Sequence, residues 1–248
     1  MASALLQAHV PIFYFDKDER FRPANLSQYV LANRRVYDKT VTGIVSPTTD
    51  SRGRNVTDLW YFTFYFEDGG LEFGDTGLSV GGHQFDVESV VVRIDNQTQA
   101  VTTVAYLPHG SREHFRIAGS ADLSRILVNG RPRVYVSRGK HGQYPVPGTI
   151  GRPPVIDSCD PGPADASFTV TEAIKTVKGA SIPPSNVALP PDAERMASIG
   201  RRKEKNIEDL DVVRLDDVTT HLVTTSNTAA AITSFVSSIK LGALRRWF

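Results

Sequence analysis

The chain has 248 residues, with 40% hydrophobic and 22% charged residues, enough apolar material for one medium-sized core with extensions. Its 28 Lys and Arg nearly cancel its 27 Asp and Glu, so no global field draws it to nucleic acid. The single cysteine, Cys159, excludes an internal disulfide and a cysteine-based zinc site.

In chain order, the opening residues lack a basic region followed by a long apolar run, and no apolar stretch approaches the length of a membrane span. The expected setting is therefore the cytoplasm or a particle assembled there, without secretion by a signal peptide. His9-Val-Pro-Ile-Phe-Tyr-Phe reads as a strand entering the charged turn Asp16-Lys-Asp-Glu, and Asn25 caps a short predicted helix. Residues 46–57 read as a polar loop. Leu59-Trp-Tyr-Phe-Thr-Phe-Tyr-Phe has the aromatic composition of a buried strand, and residues 69–82 form a glycine-rich loop. Asp86–Asp95 and Val101–Leu107, separated by Asn96-Gln-Thr-Gln, predict a hairpin, and further strands are expected at 115–117 and 133–137.

Short strands broken by turn residues predict a mainly β fold, an antiparallel β-sandwich over about residues 1–150. Residues 151–223 form a Pro-rich and charged extension in which 192–217 is expected to be a solvated helix. In 224–248, Ile232, Phe235, Val236 and Ile239 fall at helical spacing with basic residues at the end. Such a helix is suited to docking on the parent domain, the favoured reading, on a protein partner or on an anionic membrane surface.

Three pieces carry the chemistry: Gly82-His83-Gln-Phe-Asp86-Val-Glu88, Ala105-Tyr-Leu-Pro-His109-Gly, and Ser137-Arg138-Gly-Lys-His141-Gly-Gln-Tyr144-Pro. On a strand, Asp86 and Glu88 share one face, and a preceding glycine loop lets the imidazole of His83 turn over them. Two carboxylates and an imidazole repel one another unless a proton or cation intervenes. Magnesium or calcium suits the oxygen donors, and manganese makes better use of the histidine. In the competing reading, Asp86 and Glu88 sit on the solvated face while Val87 fills the core. His109, Arg138, His141 and Tyr144 are candidates to line the same cleft and hold a carboxylate or phosphate, although Arg138 can equally pair with Asp86 or Glu88. His114 reads as an exposed turn residue and Cys159 as a loop thiol.

In order and spacing, these pieces resemble the vacuolar protein sorting-associated protein 62 family over about residues 9–150. Trp60-Tyr-Phe-Thr-Phe-Tyr-Phe is similar to its aromatic strand, and Pro11-Ile-Phe-Tyr-Phe-Asp-Lys-Asp-Glu-Arg-Phe-Arg-Pro to its opening segment. The 82–88 motif is also similar to the heptapeptide of necrosis-inducing (NPP1-type) proteins, secreted β-sandwich cytolysins that bind a divalent cation and act on plant membrane lipids. That resemblance implies His83, Asp86, Glu88 and Asp68 as cation ligands. Gln84-Phe85 and Val87 depart from its pattern. No Gly-x-Ser-x-Gly, His-Glu-x-x-His, phosphate loop or dinucleotide fingerprint is present. The reading is a non-enzymatic binding or scaffold module with an optional divalent cation (Mg, Ca or Mn). Alternatives are a structural component of a large assembly such as a minor viral capsid protein, a metal-assisted hydrolase, or a membrane-lipid-binding protein.

Overall fold

A computed structural model describes residues 2–26, 28–29, 34–72, 79–80, 82–108, 113–152, 155–172 and 206–225. Helix α1 (Ala2–His9) leads into β1 (Ile12–Phe15), and the long strands β2 (Thr40–Thr49) and β3 (Asn55–Asp68) follow. The short pair β4 (Leu71–Glu72) and β5 (Ser79–Val80) precedes β6 (His83–Asp95), β7 (Val101–Tyr106) and β8 (Phe115–Ala118). After α2 (Ser120–Ile126) come β9 (Leu127–Val128), β10 (Arg131–Val136), β11 (Gln143–Tyr144), β12 (Gly148–Arg152), β13 (Val155–Cys159) and β14 (Thr169–Glu172). The last described elements are β15 (Asp211–Val212) and α3 (Val218–Thr225), with 3-10 turns at Ile207–Asp209 and Leu215–Asp217.

The fold is mainly β, as the strand pattern predicts. Seven strands form one sheet in the order β14-β2-β3-β6-β7-β8-β15, and β1, β10, β11 and β9 form a smaller sheet. The centre of the large sheet is antiparallel, and its ladder between β3 and β6 runs from Val56↔Asp95 to Asp68↔His83. The two edge pairings, β14 with β2 and β15 with β8, are parallel.

Alternation sorts the side chains of this ladder. Leu59, Tyr61 and Tyr65 of β3, with Val90, Val92 and Ile94 of β6, enter the main core. There they meet Phe13 and Phe15 of β1 and Val134 and Val136 of β10 from the smaller sheet. Of the tyrosines in this layer, Tyr61 donates to the Leu6 carbonyl and Tyr106 to that of Arg133, both at 2.9 Å.

The opposite face of the large sheet is covered as well. Trp60, Val91, Ala105 and Leu107 pack under Ile207 and Leu210, while Phe64, Phe66 and Phe85 pack with Ala24, Leu26 and Tyr29. Asn25 caps the turn here, its side chain accepting from the Gln28 amide at 2.9 Å.

Two sequence expectations are corrected. Residues 46–57 are the end of β2, a tight turn and the start of β3 rather than a loop. Pro47 lies beyond residues 40–43, the stretch of β2 that pairs with β14 among the described residues. The segment 206–217 is not a solvated helix. Ile207, Leu210, Val213 and Leu215 are buried, anchoring it along the sheet. Its acid Glu208 ion-pairs with Arg93 of β6 and, at 3.0 Å, with Arg116 of β8. Residues 226–248, expected as a basic amphipathic helix, lie outside the described residues, as do 173–205 of the extension.

Arg93 is 2% exposed and also takes Asp58 through Nε at 2.6 Å and Nη2 at 2.9 Å. Burial opposes its charge, but the Asp58 hydrogen bonds and charge, with Glu208 behind them, outweigh that and raise the guanidinium pKa. Removing the arginine alone strands Asp58 in a covered site. Arg93→Met is expected to lower the stability by roughly 3 kcal/mol, read as a lower urea midpoint at unchanged slope. A midpoint equal to wild type would show that the ion-pair network does not hold the 206–212 segment in place.

Candidate functional site

The acid pair of β6 lies near the end of the β3–β6 ladder away from Arg93. Thr63 pairs with Glu88, Tyr65 with Asp86 and Asp68 with His83. Phe85 has φ 63°, a left-handed conformation seldom adopted by a bulky residue, yet Asp86 and Glu88 keep the alternation of Val90 and Val92. They therefore share a face, as their spacing predicts. That face is the covered one: Glu88 is 2% exposed and Thr63 beside it is fully buried. The alternative with the acids on a solvated face and Val87 in the core is reversed, since Val87 packs only partly buried against the Phe64–Phe66–Phe85 cluster on the other side.

His141 reaches the same place from the segment after β10. Its ring lies flat on Tyr65, with centroids 3.6 Å apart and planes within 3°. With the proton on Nδ1 it donates to Asp86 Oδ2 at 3.1 Å, and Nε2 faces Glu19 Oε1 at 3.9 Å. Nε2 makes no hydrogen bond among the described residues, and the side chain is fully buried. The backbone of His141 is left-handed, φ 61°, which turns the imidazole inward from the loop. Gly139 allows the loop to sit this close: its φ is 74°, and a Cβ there would stand 3.2 Å from the Gly70 carbonyl.

Glu19 completes the arrangement. It comes from the charged turn after β1, is 4% exposed, and accepts from the Phe21 amide through Oε1 and the Gly139 amide through Oε2, each at 2.7 Å. Glu19 thus pins the first turn to the His141 loop across 120 residues. Burial first, then the charges of Glu19, Asp86 and Glu88, keep the Tyr65 phenol protonated well above its usual range. Three carboxylates, one imidazole and one phenol therefore converge at the end of the sheet. Sequence reasoning missed Glu19, Tyr65 and the fully buried Gln143, whose Nε2 donates to Thr63 Oγ1 at 2.6 Å. The Asp-Lys-Asp-Glu turn inside the first resemblance segment was the available signal for Glu19.

The other candidates are distributed differently. Asp68 accepts from the Gly70 amide at 2.6 Å, a turn contact. The backbone of His83 is described and stands opposite Asp68; its side chain, and all of His109, lie outside the described residues. Arg138 is 39% exposed and reaches Asp18 at 3.8 Å. Tyr144 is buried and donates to Asp157 Oδ2 at 2.5 Å, where Lys140 and Ser137 also converge at 3.2 Å, while the charge of Glu88 also reaches its phenol. It is not a cleft-lining phenol. His114 is buried rather than an exposed turn residue. Among the described residues, no group of three or more His, Cys, Asp or Glu is arranged to hold a metal ion by itself.

These features define a mainly β protein with a covered acid–histidine cluster at one end of its central ladder. No family model matches the sequence, and no curated protein matches it. Among solved structures the chain is similar to necrosis and ethylene inducing protein 2 from the causal agent of cocoa's witches' broom disease. The identity is 17% and the TM-score 0.42, over 69% of this chain and 74% of that one. The resemblance to the vacuolar sorting family rests on the sequence motifs alone.

Cys159 closes β13 and is buried, with its Sγ 3.6 Å from the Tyr14 carbonyl. Burial, aided by Asp16, pushes the thiol up from 9.0 to about 12. Because the folded pKa is raised, its contribution to stability is complete below pH 9 and is lost as the pH rises toward 12. As the only cysteine, it is expected to resist a disulfide reagent at mildly alkaline pH until denaturant unfolds the chain. Rapid labelling of the native protein would contradict this placement.

Proposed function

We propose that the protein is a non-enzymatic binding module whose recognition chemistry is centred on the covered acids of β6 and that takes a divalent cation there. The observation that carries this reading is the convergence of Glu19, Asp86 and Glu88 on one imidazole and one phenol away from solvent. Carboxylates gathered in a low-dielectric space repel unless a positive charge is shared among them. The residues fit such a group in kind: His141 Nε2 is a buried nitrogen without a hydrogen bond, and the surrounding donors are hard oxygens suited to magnesium or calcium. Asp86 and Glu88 would hold the ion, with Asp68 and His83 as the further ligands suggested by the motif. The bound ion would supply positive charge to the carboxylates and a coordination point for an oxygen-bearing ligand. His141, held by Asp86 and stacked on Tyr65, orients the acid and fixes the loop that carries it.

Burial favours holding over turnover. A fully buried imidazole with carboxylates on both sides has no path to a substrate proton in this arrangement. Titration with calcium, magnesium or manganese is expected to raise the melting temperature saturably, by about 5 °C or more at high occupancy. Glu88→Gln should abolish the shift, and chelator should reverse it. A wild-type melting temperature indifferent to all three ions would defeat the cation reading.

A further inference from the structure

We propose that a cavity at the opposite end of the central ladder binds a phosphate-bearing small molecule of up to nucleotide size. The cavity has a volume of about 550 Å³ and opens between the β2–β3 turn, β7, the start of α2 and the 206–212 segment. This is within the usual range for small-molecule sites. Four arginines line it, Arg52, Arg54, Arg93 and Arg116, together with the acidic residues Asp50 and Glu208.

The arginines are not equivalent. Arg93 and Arg116 form the floor and are engaged by Glu208, so the structure already seats one oxyanion on this pair. Arg93 is further neutralised by Asp58, and Arg54 by Asp50 at 2.6 Å and Asp95 at 3.4 Å. Arg52 differs. It stands exposed in the turn, its amide donates to Asp50 Oδ1 at 2.9 Å, and among the described residues its guanidinium makes no ion pair. The backbone is thus fixed while the charge remains available at the cavity mouth. Ser120 and Ser51 also line the cavity, Ser51 with its hydroxyl donating to Glu208 Oε2 at 3.2 Å.

A planar guanidinium with free donors, backed by further arginines, matches the geometry of a phosphate group. A phosphate ester places its charged end at Arg52 and Arg54 and its remaining part in the cavity. A neutral ligand gains nothing from this arrangement, and a cation would meet the arginines. The site is independent of the acid cluster, which lies on the other face and at the other end of β3 and β6.

The test uses inorganic pyrophosphate and a nucleoside diphosphate as probes in calorimetric titration at low ionic strength. Saturable binding is expected, weakening as salt is added. Arg52→Ala, an exposed change in a turn, should keep the wild-type circular dichroism and melting temperature while weakening binding roughly tenfold. Arg214→Ala removes another exposed arginine away from the cavity lining and should bind as wild type does. Absence of saturable heat with both probes, or equal weakening by the two substitutions, would overturn the assignment.

Discussion

Everything in this molecule depends on the antiparallel ladder between β3 and β6. Among the described strands these two are the longest; they pair over nearly their whole length, and both of their faces are covered. A half-buried sheet has one dry face and one wet one. Here the second face carries its own apolar clusters, one under Ala24–Tyr29 and one under Ile207–Leu210. Polar side chains on the ladder must therefore be satisfied within the protein at both ends. The acids of β6 meet an imidazole at one end, and Asp58 meets Arg93 at the other.

This double coverage explains what could be read in the sequence. The hydrophobic runs and turns placed the main strands, because β-branched and aromatic residues between turn residues report strand structure directly. The spacing of Asp86 and Glu88 put them on one face, which the register bears out. It did not say which face, because an alternating pattern identifies the buried side only when the other side is wet. The competing reading put Val87 in the core and Glu88 in solvent; instead Glu88 is buried and Val87 packs partly buried on the other face.

The rest was hidden by sequence distance or by charge. Glu19 acts on Gly139 and His141, contacts that no local pattern contains. The segment after Asn206 has buried residues at 207, 210 and 213, but interleaved acids made it look solvated. Its Glu208 is satisfied by arginines from two different strands, a pairing that appears only once the sheet is assembled. Sequence motifs thus located a chemically dense region, whereas the membership of Glu19 and Tyr65, and the bonding of Tyr144 to Asp157, came from packing.

Both margins of the large sheet are finished by the final third of the chain. β14 lies alongside the start of β2, and β15 lies alongside β8, each in parallel orientation. A polypeptide ending near residue 150 would keep the central strands and lose both of these borders. Backbone donors and acceptors along β2 and β8 would then face outward, and the Trp60–Leu107 strip would be uncovered with them. Shortened versions of this protein are accordingly prone to edge-to-edge self-association, so the carboxyl-terminal strands act as guards against aggregation as well as parts of the fold.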